Sequence, residues 1–158
     1  MRMLILSVGK LSTPFYREGF EEYRRRLSRY LRVEQVSVPE ERPRGRPEGA
    51  EIVRILREEG LRLARHIRPG HYLVALDSGG EMYSSEAFAK WLEGRLMAGA
   101  EIAFVIGGAW GLDRDLLARA DLRLSLSRLT FPHEMVPLIL LEQIYRAFKI
   151  LRGEPYHR

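Results

Sequence analysis

The chain has 158 residues, 46% apolar and 30% charged, a composition that suits one folded domain over residues 1–158 and excludes a disordered segment. It has no cysteine, which excludes disulfides, thiol nucleophiles and cysteine-bound zinc; its longest apolar run, residues 135–141, is far short of the about 20 residues of a membrane span. The net charge is +5, and arginine supplies 23 of the 26 basic residues.

Arginine's planar fork binds phosphate through two bonds and stacks on bases, so an RNA partner is expected. Codon bias or heat adaptation would explain the same excess. The apolar start, residues 3–6, is too short for a secretory signal, and a cytoplasmic location is expected.

Residues 3–8 read as a short buried strand. Thr13-Pro14 reads as a helix N-cap with proline at the first helical position. Phe15, Phe20, Tyr23, Leu27 and Leu31 then recur at helical spacing. Residues 33–38 form a second strand. Residues 39–47 are a loop carrying Pro39, Pro43 and Pro47 with Arg42, Arg44 and Arg46. Ile52, Ile55, Leu56, Leu63 and Ile67 mark the next amphipathic helix, which Pro69-Gly70 ends.

The rhythm then repeats. Residues 71–76 are a strand closed by Asp77-Ser78-Gly79-Gly80. Ser84 or Ser85 caps a helix with Phe88, Trp91, Leu92 and Leu96 inward, ended by Gly99. Residues 102–106 are a strongly apolar, central strand closed by Gly107-Gly108, and residues 112–120 a short helix. Leu122, Leu124 and Leu126 alternate with polar residues as a strand does. The last helix spans residues 132–151, with Gly153 as its C-cap. This is an α/β fold: a mostly parallel sheet with helices on both faces.

Three turns, residues 77–80, 107–111 and 126–130, thus follow strands. Ligands of open α/β sheets bind outside the carboxyl ends of the strands. Each turn alone reads equally as an ordinary tight turn, and the three together favour a shared pocket. Gly107-Gly108-Ala109-Trp110-Gly111 lacks the dinucleotide fingerprint spacing, and no Gly-Lys-Ser/Thr phosphate loop exists. A cofactor gripped by backbone groups remains allowed. The last helix is apolar nearly all round, which predicts burial on more than one side and a two-fold homodimer.

Phe104-Val105-Ile106-Gly107-Gly108, Leu124-Ser125-Leu126-Ser127, Leu129-Thr130-Phe131-Pro132-His133, Glu142-Gln143-Ile144-Tyr145-Arg146-Ala147 and Pro155-Tyr156-His157 occur in this order. Together with the opening Ser7-Val8-Gly9-Lys10 they closely resemble the RlmH family. These are small SPOUT-class methyltransferases of bacterial 23S ribosomal RNA, and the likeness covers the whole chain. It implies S-adenosyl-L-methionine as methyl donor and N3 of a pseudouridine in the assembled ribosome as acceptor. It also implies a C-terminal trefoil knot holding a bent cofactor, a homodimer that completes each site, and no metal. The family's cofactor contacts fall on Leu76, Gly107, Leu126, Ser127, Arg128, Leu129, Thr130 and Phe131. The chain departs from the family at Pro137, where the family has arginine; a role of that arginine in RNA or cofactor contact is then either missing here or moved to another arginine, such as Arg128. A SPOUT enzyme acting on transfer RNA or another ribosomal site, and a non-catalytic ribosome-binding factor, are the rival readings.

Methyl transfer from a sulfonium is an in-line displacement in which alignment carries much of the rate. The N3 proton must leave, so a base is expected, and His133 and His157 are the candidates. His133 reads equally as a backbone-bonding residue at a helix start. Tyr156 is placed in the catalytic set as a residue that stacks on a base. Arg146 and Arg158 are candidate RNA contacts, although Arg146 also reads as an ion pair with Glu142 four residues earlier. Arg24-Arg25-Arg26 reads as a solvated helix face, with an RNA rail as the alternative.

Overall fold

Strands and helices alternate as their side-chain periods require: β1 (Arg2–Val8), α1 (Pro14–Leu27), β2 (Arg32–Val38), α2 (Ala50–Ala64), β3 (His71–Glu81), α3 (Ser85–Met97), β4 (Glu101–Ile106), α4 (Arg114–Arg119), β5 (Leu122–Leu124) and α5 (Val136–Leu151). The computed structural model describes residues 1–156; His157 and Arg158 lie outside the described residues. The strands form one parallel sheet in the order β2-β1-β4-β3-β5. β4 is central, as its unbroken apolar run predicts, since a strand covered on both faces needs no polar alternation.

The period of two sorts the core. Met3, Ile5, Val33, Val74 and Phe104 face Phe20 of α1, Leu92 of α3 and Leu140, Ile144 and Phe148 of α5. Leu4, Leu6, Leu73, Ala103 and Val105 face the other way, onto Leu63 of α2 and Leu116 of α4. Burying one such side chain contributes about 1.5–3 kcal/mol. α5 is sunk into the larger of these layers. Leu140, Leu141 and Ile144 are fully buried, whereas Leu138, Ile139, Ile150 and Leu151 stay half-buried within the single chain. Among the described residues no helix is long and apolar enough to cross a membrane.

The structure differs from the sequence reading in four places. Phe15 is 64% exposed, on the outer side of α1. α5 begins at Val136, not Pro132, because residues 133–135 form a turn; Pro137 then falls in the first helical turn, where its missing N–H costs nothing. β5 keeps only three residues, so Leu126 lies in the loop beyond it. Residues 77–80 do not close β3. Leu76 and Glu81 both pair with Leu124, and the residues between them bulge out of the ladder. Gly80 permits this: a Cβ there would stand 2.5 Å from the Arg123 carbonyl oxygen.

Candidate active site at the carboxyl ends of the strands

The ends of β3, β4 and β5 enclose a cavity of about 200 Å³. Leu76, Gly107, Leu126, Ser127, Leu129, Thr130 and Phe131 line it, and so does His133. Arg128 is exposed and does not line the cavity. The three turns expected to share a pocket therefore meet. Asp77 comes from the first of those turns, and Ile106 and Val136 complete walls that the sequence reading did not name. They follow from strand order and from the true start of α5, neither of which residue spacing reveals.

Local bonds shape each wall. The buried Ser125 hydroxyl donates to the Ser127 carbonyl at 3.0 Å, and the Leu129 N–H donates to Ser127 Oγ at 2.9 Å. The Ser125 N–H donates to the Glu81 carbonyl at 2.8 Å, so the loop hangs from the far side of the β3 bulge. Residues 126–131 make no backbone–backbone hydrogen bond among the described residues; apart from the Ser127 carbonyl and the Leu129 N–H, which the two serine hydroxyls engage, this leaves their N–H and carbonyl groups to a ligand or water.

The glycine wall packs closely on itself. Gly108 and Gly111 form an antiparallel bridge, and a Cβ on Gly107 would stand 2.2 Å from the Gly111 carbonyl oxygen. The close approach that Gly107 permits is thus to its own loop.

His133 stands on the rim, half-buried, with Nε2 3.7 Å from Glu40 Oε1. The next residue, Glu134, is fixed far more tightly. Its Oε1 accepts from the backbone N–H groups of Ser12 at 2.6 Å and Thr13 at 3.0 Å, and from the Ser12 hydroxyl at 3.1 Å. Its Oε2 accepts from the Thr13 hydroxyl at 2.9 Å. These donors, the Thr13 N–H foremost, hold the Glu134 carboxyl down at about 2. Nothing in the sequence signals this contact, which spans 121 residues.

The tail folds back along α5. The Glu154 carboxylate meets Lys149 Nζ at 2.5 Å and accepts from the Tyr30 hydroxyl at 3.3 Å. Tyr156 packs edge-on against Tyr145 with ring centroids 4.9 Å apart, and the Arg146 guanidinium lies over its ring at 4.9 Å. Its hydroxyl reaches Tyr23 and Glu142, each at 3.1 Å. Burial, then the Tyr23 bond, push its phenol up from the usual value. Arg146 also pairs with Glu142, as the four-residue spacing predicts. Tyr156 therefore sits along α5, opposite residues 142–146 and away from the cavity at the helix start. Arg24, Arg25 and Arg26 pair with Glu21 and Glu22, which fits the solvated-face reading.

Comparison with known proteins agrees with this arrangement. A family model described as "Predicted SPOUT methyltransferase" matches residues 1–157. The chain is 44% identical to Ribosomal RNA large subunit methyltransferase H of Carboxydothermus hydrogenoformans, covering 100% of both chains. It is 48% identical to the protein of the same name from Symbiobacterium thermophilum, again over 100% of each. Among solved structures, a probable methylase family protein from Haemophilus influenzae Rd KW20 superposes with a TM-score of 0.52 at 12% identity, over 99% of this chain and 70% of that one, a likeness of fold alone. The chain belongs to the SPOUT methyltransferases and, within them, to the RlmH family.

Proposed function

We propose that the protein transfers a methyl group from S-adenosyl-L-methionine to N3 of a pseudouridine in 23S rRNA of the assembled ribosome. It acts as a cytoplasmic homodimer whose single domain is tied in a C-terminal trefoil knot. Family membership and the names of its relatives support rRNA methylation. The observation that carries the reading is the cavity built from Leu76, Gly107 and residues 126–131.

The cavity suits this cofactor. Leu76, Ile106, Leu126 and Val136 offer apolar surface to a purine ring, and the unspent backbone groups of residues 126–131 offer partners to its polar edge. The Asp77 carboxylate in the wall suits a cationic ligand. Arg128, beside this loop but exposed, is left to meet RNA in place of the arginine replaced by Pro137. When bound, S-adenosyl-L-methionine supplies a methyl group on a positively charged sulfur.

The chain must then align the acceptor and remove its proton. His133 is the described imidazole on the rim, and Glu40 behind it stabilises the charged ring. The neutral ring would take the N3 proton as the methyl carbon bonds to nitrogen and its bond to the donor sulfur breaks, the donor leaving as a neutral thioether. His157, which the family likeness makes the second candidate, lies outside the described residues, as does Arg158. Tyr156 and Arg146 are bound to each other and to Glu142, so their part is to fix the tail that delivers those residues to a site completed by the second subunit.

The test is transfer of labelled methyl groups to unmethylated ribosomes, with and without pseudouridine at the target loop, beside naked 23S rRNA and transfer RNA. Transfer only to assembled, pseudouridine-bearing ribosomes is expected. Transfer to transfer RNA would keep the cofactor and overturn the substrate. Donor binding with no transfer anywhere would leave a ribosome-binding factor.

A further inference from the structure

The loop between β2 and α2 carries Arg42, Arg44 and Arg46, all exposed. Among the described residues, none of their side chains forms an ion pair or hydrogen bond with an acid. Arg24, Arg25 and Arg26 differ in this, since each is paired on its own helix. The Arg44 side chain acts on Glu51 through its charge alone, so no side-chain bond ties any of the three down.

The backbone beneath them is nevertheless held firmly. Glu41 accepts from Arg54 at 2.7 Å and from Arg62 at 2.5 Å, and its own N–H donates to the buried Glu59 at 3.1 Å. Arg54 also donates to the Arg42 carbonyl at 3.0 Å, and the Arg44 N–H donates to Glu51 at 3.1 Å. The chain thus uses one set of arginines to brace the loop and leaves another set facing solvent. A rigid scaffold loses less entropy when those side chains engage a partner.

The loop is rooted at the cavity. Glu40, two residues before Arg42, is the residue that faces His133. A Cβ on Gly108 would lie 3.8 Å from Glu59 Oε1, so the carboxylate that holds the loop also abuts the glycine wall. The six peptide steps from Glu40 to Arg46 reach at most about 20 Å. That is the range over which an RNA strand passing the cavity presents several phosphates.

We infer that residues 42–46 are a phosphate-docking arm: Arg42, Arg44 and Arg46 bind the ribosomal RNA backbone beside the nucleotide held at the cavity. The inference rests on the proposed rRNA substrate.

The experiment measures equilibrium binding of the full chain to unmethylated, pseudouridine-bearing assembled ribosomes over a range of salt, together with methyl transfer to them. The variant is R42Q/R44Q/R46Q. A charge-matched control, R32Q/R65Q/R68Q, lies at the opposite, amino-terminal edge of the sheet. Neutralising a phosphate contact lowers the slope of log affinity against log salt by about one. The arm variant is expected to lose about three in slope and to raise KM, with donor affinity unchanged. The control is expected to change the slope by less than half as much. Equal slopes for the arm variant and the unaltered chain, or equal losses in both variants, would overturn the arm. A chain that binds the assembled ribosomes with the expected slopes yet transfers no methyl group would instead count against the proposed reaction, and the two failures are therefore distinct.

Discussion

Glu134 caps helix α1 at Thr13: its carboxylate accepts both the Thr13 N–H and the Thr13 hydroxyl. Thr13 is the N-cap residue by position, but its own side chain makes no cap bond. A residue next to His133 supplies the cap from the far end of the chain. Glu134→Ala is expected to lower unfolding free energy by about 1–2 kcal/mol and to loosen the His133 rim. Urea unfolding and donor affinity measured on one preparation check both effects, and an unchanged midpoint with unchanged affinity would refute the clamp.

The same contact sets an acid dependence. The folded carboxyl titrates at about 2 and its ordinary value is 4.5, so the folded pKa is depressed. Its contribution is complete above about 4.5 and is lost as pH falls towards about 2. Between pH 5 and pH 2.5 the unaltered chain should lose more stability than Glu134→Gln does. Parallel curves for the two proteins would show that the carboxylate is not the titrating group.

Gly107 and Gly79 make a paired test. A Cβ on Gly107 collides with the Gly111 backbone, whereas on Gly79 the nearest atom is 3.8 Å away on the Asp77 side chain. Gly107→Ala should cost about 1–3 kcal/mol through overpacking and weaken the donor site with it. Gly79→Ala should fold normally. Equal Tm values for the two variants would contradict the close approach at Gly107.

His133→Gln should lower the rate of methyl transfer by about 10²–10⁴ if the imidazole takes the N3 proton. Donor affinity should change little. The decisive readout is the split between the two: the transfer rate falls while the donor Kd holds. A variant with an unchanged rate would move the base elsewhere.

Deleting residues 156–158 should abolish methyl transfer and leave donor binding intact. Tyr156→Phe is the milder variant. It removes the hydroxyl bonds to Tyr23 and Glu142 and should cost about 1 kcal/mol. Full activity of the truncated chain would show that the tail has no part in the reaction.

Much of this architecture is legible in the sequence because each strand is a short apolar run and each helix has its own period. β4 declares its central place through Ile102, Phe104 and Ile106 on one face and Ala103 and Val105 on the other. Two of the three pocket turns can be placed from glycines and serines at strand ends. The bulge at residues 77–80 cannot, because it depends on which residue of β5 meets β3. Nor can the Glu134 clamp or the Glu40–His133 contact, since neither repeats at any period. The burial of Tyr156 is invisible for the same reason: a terminal aromatic reads as free until Tyr23, Glu142 and Tyr145 are brought beside it.

The clamp also has a consequence for biosynthesis. Thr13 leaves the translating ribosome 121 residues before the carboxylate that will cap it. At about 5–20 residues per second that is a wait of roughly 6–24 s. Through that time the first helix has an open amino end and no α5 to lie against. The nascent chain thus carries its first helix longest without support, and that helix is secured only once Glu134 has emerged.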